Sequence, residues 1–149
     1  MNARASLLFW RANKGGSAVE FALVVTPLLM LAMGVFEFGR YYWTTEALQE
    51  SAVAGARCIG ISQSSCASAG VYNSGNTASY VQGVAAGWGV TVPTSDIVTT
   101  NSTTCGTLTG FAQVKITYLF KTVIPNIIPI GAGGQSITVQ SCYPNNPSS

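Results

Sequence analysis

Residues 15–36 read GGSAVEFALVVTPLLMLAMGVF, and this stretch decides the fold of the chain. Residues 21–36 carry no charge. As a helix they span about 24 Å, against about 30 Å for the hydrocarbon core of a bilayer. Starting the helix at Ala18 gives a plausible transmembrane span, with one carboxylate, Glu20, near its leading edge. Pro27 removes a backbone donor inside this span, so we expect a kink or a local opening there.

The composition indicates an exported domain after the apolar run. Charged residues make up 8% of the 149 residues, far below the roughly 25% of ordinary soluble domains. A net charge of +2 without a basic stripe argues against a nucleic-acid partner. Residues 1–15 carry three cations and no acid, so the positive-inside bias predicts a cytoplasmic N-terminus. Four cysteines, all after the run, favour an oxidising compartment and two disulfides: Cys58, Cys66, Cys105 and Cys142.

Two simpler interpretations of the N-terminal stretch remain open. A secretory signal peptide would be cut near Ala32-Met33-Gly34, but its apolar core would exceed the usual length of about 7–15 residues, and Glu20 would interrupt it. A plain single-span anchor would leave Glu20 incidental, because an acid in the first turn of a helix is mildly favourable through the helix dipole.

The stretch GGSAVEFALVVTPLLMLAMGVFEFGR, residues 15–40, resembles the processing region of type IV pilin-like proteins. More narrowly, it resembles the TadE-like pseudopilins and minor pilins of tight adherence (Flp-type) pili. The resemblance implies that a prepilin peptidase cuts between Gly15 and Gly16. Glu20 would then be the fifth mature residue, followed by Phe21 where major Flp pilins usually carry Tyr. Because a charge at the apolar edge is costly without a partner, we expect Glu20 to pair with the new α-amino group of a neighbouring subunit.

The resemblance also implies a location and a set of partners. The expected location is the bacterial inner membrane, as a single-pass protein with a periplasmic or extracellular C-terminal domain, with incorporation of the protein in the pilus left open. The expected partners are the prepilin peptidase, the inner-membrane assembly platform, the lipid bilayer, and other pilins packed against the transmembrane helix. The expected function is structural, in pilus biogenesis and adhesion. The alternative is a secreted or membrane-anchored adhesin-like binding domain without a pilus role.

The sequence offers no convincing catalytic or metal site. The chain has no His, which removes the commonest general base and most zinc sites. The cysteines lack C-x-x-C spacing, and Asp96 is the only Asp. We therefore expect no enzyme activity and no cofactor.

The chain is predicted to have four parts: a basic leader (1–15), a transmembrane helix (16–37), a helical stalk (38–59) and an outer α+β domain (60–149). Together these would form the lollipop typical of pilin-like proteins. Three aromatic residues near the start of the stalk predict either a membrane-interface belt or a buried patch of the outer domain: Tyr41, Tyr42 and Trp43. Further along, a stripe of apolar residues with helical spacing is expected to pack on the outer domain: Leu48, Ala52, Ala56 and Ile59.

The outer domain is predicted to hold a short helix and an antiparallel sheet. The helix covers residues 77–88, capped by Asn76 or Thr77. A short strand is predicted at 90–92 and a polar loop at 99–109. Alternating patterns predict strands at 111–120 and 135–143. The apolar loop between them, 122–134, is either tucked against the domain or a contact patch.

Four cysteines allow three pairings. Cys58 and Cys66 bracket a short turn-forming stretch. Cys105 precedes the first of the two predicted strands and Cys142 ends the second. If the strands are antiparallel neighbours, a bridge between Cys105 and Cys142 staples the start of one to the end of the other. We therefore choose the pairs 58–66 and 105–142.

Overall fold

The computed structural model of the protein describes residues 6–122 and 134–145, with side chains from Gly15 onward. The fold is α+β, as predicted, with a long N-terminal apolar helix, a second short helix, antiparallel sheets and two disulfides. Two compact units divide the chain, Met1–Gly39 and Arg40–Ser149. The helices and strands are α1 (Ser6–Gly60), β1 (Ala67–Ser68), β2 (Val71–Tyr72), α2 (Ser74–Gly87), β3 (Ile97–Cys105), β4 (Leu108–Phe120) and β5 (Gln135–Pro144).

Helix α1 supplies the described part of the first unit. It continues through the predicted leader, span and stalk, so the divisions at 15, 37 and 59 stay predictions. Helix α1 runs through Pro27 without a break, and the kink or local opening expected there stays a prediction. Proline removes only one backbone donor, and nearby the Thr26 hydroxyl donates to the carbonyl of Ala22 at 2.8 Å.

The second unit contains a three-stranded antiparallel sheet in the order β3-β4-β5. The two strands predicted at 111–120 and 135–143 are confirmed as β4 and β5, paired from Phe111 opposite Pro144 to Phe120 opposite Gln135. Alternate residues of this pair are buried, as their sequence pattern predicted: Ala112, Val114, Ile116, Ile137 and Val139. The intervening side chains, such as Lys115, are exposed. One face of the sheet therefore forms the core and the other faces solvent.

The part of α1 in the second unit buries one stripe in this core. The four residues that the sequence predicted for the stripe are at most 4% exposed: Leu48, Ala52, Ala56 and Ile59. Gly55, on the same side of the helix, is also buried. A Cβ placed on Gly55 would overlap Cγ2 of Val81 in α2 and lie 3.2 Å from Cγ2 of Val114 in β4. Gly55 therefore permits α1 to approach both the second helix and the sheet.

Three of the predicted elements need correction. Helix α2 begins at Ser74, not at 77, because the side chain of Asn73 accepts the backbone N–H of Asn76 at 2.9 Å and caps the helix. Residues 90–92 are buried in part but form no strand, and the amide of Gln82 donates to the Val92 carbonyl at 2.8 Å. The predicted loop at 99–109 is mostly strand β3, an edge strand with register shifts.

Both disulfides join the cysteine pairs chosen from the sequence. Cys58 pairs with Cys66 across a Cα–Cα distance of 6.0 Å. Cys105 pairs with Cys142 across 6.5 Å and links the end of β3 to β5. The apolar loop is described only at its ends, so the question of whether residues 123–133 are tucked or form a contact patch lies outside the described residues.

The loop that the first disulfide closes is fixed to the start of α2. Thr77 is fully buried, and its hydroxyl contacts the carbonyl oxygens of Asn73 at 2.8 Å and Cys66 at 3.3 Å. The side chain of Asn76 donates to the Ala67 carbonyl at 2.9 Å. These bonds tie the loop to the first turn of α2, in addition to the backbone N–H groups that the Asn73 and Cys66 carbonyls also accept.

Candidate assembly segment

The residues predicted to act in processing and assembly lie together on α1 within the first unit. They are Gly15, Gly16, Glu20 and Phe21, and all four are exposed. A Cβ built on either glycine would meet no atom within 4 Å. Each glycine costs about 1 kcal/mol relative to alanine in a helix interior. The Gly15-Gly16 pair therefore lowers the stability of the helix at the predicted cleavage bond.

Helical spacing brings the predicted new amino group and the carboxylate onto one side of the helix. Residues Gly16 and Glu20 are four positions apart, and side chains so spaced are neighbours on a helix surface. The helix thus places Glu20 one turn from the atom that cleavage would convert into a cation. The same face would also present the carboxylate to the corresponding amino group of an adjacent copy.

The apolar side chains that follow Glu20 are left uncovered by the part of the first unit that the structure describes. From residue 15 to residue 39 none is buried, and Phe21, Leu23 and Leu31 are each about two-thirds exposed or more. Apolar patches of this extent mark membrane or protein contacts. Among the described residues, one helix, within Gly15–Gly60, is long and apolar enough to cross a membrane. A single-pass membrane anchor fits this helix.

The structure divides the three aromatic residues of the predicted membrane-interface belt. Tyr42 and Trp43 remain more than half exposed. Tyr41 instead packs against the core, with its ring 5.5 Å from that of Phe120 in an edge-to-face arrangement. The buried-patch alternative therefore describes Tyr41, and a role at a membrane surface stays a prediction for the other two.

The described residues contain no group of three or more His, Cys, Asp or Glu side chains that could hold a metal ion. All four cysteines are in disulfides, so none of them is a thiol in this structure.

Comparison with known families addresses this same segment. The family model of TadE-like proteins matches residues 15–57. This segment is TadE-like. The match begins at the Gly15-Gly16 pair and ends within α1 at Arg57, so it includes most of the buried stripe but neither α2 nor the sheet. No curated protein and no solved structure matches the chain.

The TadE-like match indicates a component of the Tad pilus system, and components of this kind are structural proteins rather than enzymes.

Two features that matter for packing were not recognised in the sequence. One is Gly55, which helical spacing alone does not distinguish from a tolerated glycine. The other is the pairing of Trp43 with Trp88, which lies 45 positions along the chain.

Proposed function

We propose that this chain is a minor pilin or pseudopilin of a Tad (Flp-type) pilus, processed by a prepilin peptidase between Gly15 and Gly16. The observation that carries the proposal is the position of Glu20. It is the one acid at the head of an exposed apolar helix, and it lies within the TadE-like segment five residues after Gly15.

The glycine pair supports the proposed cleavage. A peptidase needs an extended backbone, so the helix must open at the bond that is cut. Two glycines lower the cost of opening by about 2 kcal/mol relative to two alanines, and they leave no side chain to obstruct the approach of the enzyme.

The exposed helix supports the proposed assembly. Without a hydrophobic driving force in lipid, helices associate through close packing of small residues and through polar pairs. Ala22, Ala32 and Gly34 supply small residues, and a Cβ on Gly34 would meet no atom within 4 Å in the isolated chain. Pairing of Glu20 with the amino group of Gly16 in an adjacent copy would supply the polar contact. The second unit would then lie outside the cytoplasm, where its two disulfides persist.

The decisive experiment determines the N-terminus of the mature protein in native membranes, by intact mass and terminal peptide sequencing. A start at Gly16 is expected, and it should be lost in cells without the prepilin peptidase. A Gly15→Val variant should remain uncut, because a branched side chain obstructs the approach of the enzyme to the bond. Gly39→Ala is the matched control, since Gly39 lies on the same helix with open space around its Cα.

Two other results would reject the proposal in different ways. A start near Val35 would identify a signal peptide and a free secreted domain. An intact Met1 in cells that contain an active prepilin peptidase would identify a simple anchor and leave Glu20 without a role in assembly.

A further inference from the structure

A cleft of about 580 Å³ lies within the second unit, where the first turns of its part of α1 meet the end of β4. Its lining includes Arg40 and Trp43 from α1, Trp88 after α2, and Lys121 after β4. These residues are distant in sequence, and only the fold brings them to one place. The volume lies within the range of about 300–1,000 Å³ that small-ligand sites occupy.

One wall of the cleft is a fixed pair of indole rings. The ring centroids of Trp43 and Trp88 are 5.5 Å apart in an edge-to-face arrangement, and Nε1 of Trp43 donates to the Trp88 carbonyl at 3.2 Å. Yet the two side chains stay 55% and 44% exposed. Tryptophan combines an apolar body with a polar N–H and is enriched where membrane meets water. The exposed parts of the two indole rings can therefore contact an amphipathic molecule.

The cleft also holds charges of both signs. The guanidinium carbon of Arg40 lies 5.5 Å from the centroid of the Phe120 ring, a contact that orients the planar cation. Lys121 follows directly and is exposed. Asp96 lines the same cleft, and the hydroxyl of Ser95 donates to one of its carboxylate oxygens at 3.1 Å. Two cations and one carboxylate thus share the cleft with the indole pair.

Arg40 lies close in sequence to the uncharged run of α1. Arg40 follows Phe36, the last residue of the uncharged run, by four positions. At 1.5 Å per helical residue this is about 6 Å along the helix. The headgroup layer on each side of a bilayer is about 5–8 Å thick. Four helical residues therefore cover about the thickness of one headgroup layer.

We propose that this cleft binds the headgroup of an aminophospholipid. Arg40 and Lys121 would hold the phosphate, and Asp96 would hold the ammonium group. An arginine fork matches phosphate oxygens with two hydrogen bonds, whereas lysine contributes a point charge. A purely anionic headgroup would leave Asp96 facing a like charge. The inference rests on the membrane anchoring of α1 that the proposed function includes, but not on cleavage at Gly15.

The test reconstitutes the full chain in nanodiscs with equal amounts of phosphatidylethanolamine, phosphatidylcholine and phosphatidylglycerol. Native mass spectrometry then counts the lipids that remain bound after the disc is removed. Phosphatidylethanolamine should be enriched on the wild-type chain. The double variant Arg40→Gln/Lys121→Gln should lose at least tenfold of this enrichment. The matched control is Arg57→Gln/Lys115→Gln. It removes the same charge from exposed positions of α1 and β4 that do not line the cleft.

A second variant separates the two halves of the headgroup. Asp96→Asn should keep phosphate binding but abolish the preference for phosphatidylethanolamine over phosphatidylcholine, which carries the same charges but has no N–H donor. Equal retention of the two lipids by the wild-type chain would overturn the assignment of the ammonium to Asp96. An equal loss in the control double variant would overturn the site, because the binding would then be general electrostatic attraction.

Wild-type protein gives an independent readout that needs no variant to fold. Short-chain, soluble phosphatidylethanolamine should shift the tryptophan fluorescence at lower concentration than short-chain phosphatidylcholine or free phosphoethanolamine. Identical titrations for all three would reject the inference. A chain that stays outside the nanodisc would instead refute membrane anchoring and this inference with it. A chain that inserts, binds the lipid and keeps its leader in cells with active peptidase would reject only the processing step.

Discussion

Replacing Gly55 by alanine tests whether α1 packs as closely on its neighbours as the structure shows. The added Cβ would overlap Cγ2 of Val81 and approach Cγ2 of Val114 to 3.2 Å. Both valine side chains are fully buried, so neither can move into solvent. Overpacking of this kind costs about 1–3 kcal/mol. Because alanine is favoured over glycine in a helix by about 1 kcal/mol, we expect a net destabilisation of about 0–2 kcal/mol.

A matched glycine removes the helix-propensity contribution from the comparison. Gly83 lies in α2, is exposed, and would place a Cβ in open space. Gly83→Ala should therefore stabilise the protein by up to about 1 kcal/mol. The difference between the two alanine variants isolates the steric cost, about 1–3 kcal/mol. For a unit of this size that difference corresponds to roughly 4–12 °C in melting temperature.

The assay is thermal unfolding of the full chain in mild detergent, followed by near-ultraviolet circular dichroism. A double-mutant cycle completes the test, because Val81→Ala should relieve the overlap when it is combined with Gly55→Ala. The coupling energy should be favourable and within about 0.5–3 kcal/mol. If Gly55→Ala is as stable as Gly83→Ala and no coupling is found, the close approach of α1 to α2 and β4 is refuted.

Three further predictions address other parts of the structure. Thr77→Val should lower the free energy of unfolding, measured in urea, by about 1 kcal/mol. One buried hydrogen bond is lost, but both acceptor carbonyls keep a backbone donor. A loss above about 3 kcal/mol would contradict this. Replacing Cys105 and Cys142 together by serine should cost about 4 kcal/mol in the same assay, from the loop entropy of a bridge that spans 37 positions, and no loss would reject the pairing. Glu20→Ala should leave membrane integration intact and lower the amount of chain recovered with sheared pili at least tenfold. Glu46→Ala, on the exposed side of α1, should leave that amount unchanged. Equal recovery of the two variants would reject a role for Glu20 in assembly.

The parts of the fold that were predicted correctly carry a strong periodic signal. The buried stripe of α1 recurs every three or four residues, and β4 alternates between apolar and polar side chains from Ala112 to Tyr118. Each pattern is decided by one buried face. Such a pattern can be recognised before the partner element is known, because an apolar face must pack against some other element.

The errors occur where local chemistry is ambiguous. Strand β3 reads IVTTNSTTC and is polar on most positions, so its composition is that of a loop. Its residues form a strand because β4 offers them a ladder at the edge of the sheet. Residues 90–92 show the reverse case. Val90 and Val92 have the alternation of a strand, but no strand pairs with them, and a side-chain amide satisfies the Val92 carbonyl.

The cleft and the glycine contact were outside the reach of sequence reasoning for a different reason. Arg40, Trp88, Asp96 and Lys121 have no common motif, and their meeting depends on how the end of α2, the following turn and β4 are placed within the second unit. Gly55 was likewise indistinguishable from other helical glycines until its neighbours were known. Periodicity identifies which face is buried, but not which atoms meet there.

The distribution of apolar and buried residues changes along α1, and the cause of this change bears on function. Between residues 21 and 36 the helix carries no charge and none of its side chains is buried, a pattern that is stable only in lipid or among other helices. From Thr44 onward only one stripe is buried, and the exposed positions include Glu46, Glu50 and Arg57, as expected for a helix in water. A simple anchor requires only the first pattern. An acid at Glu20, at the leading edge of the apolar part and four residues after a glycine pair, has no role in a simple anchor, whereas processing followed by subunit packing would require it.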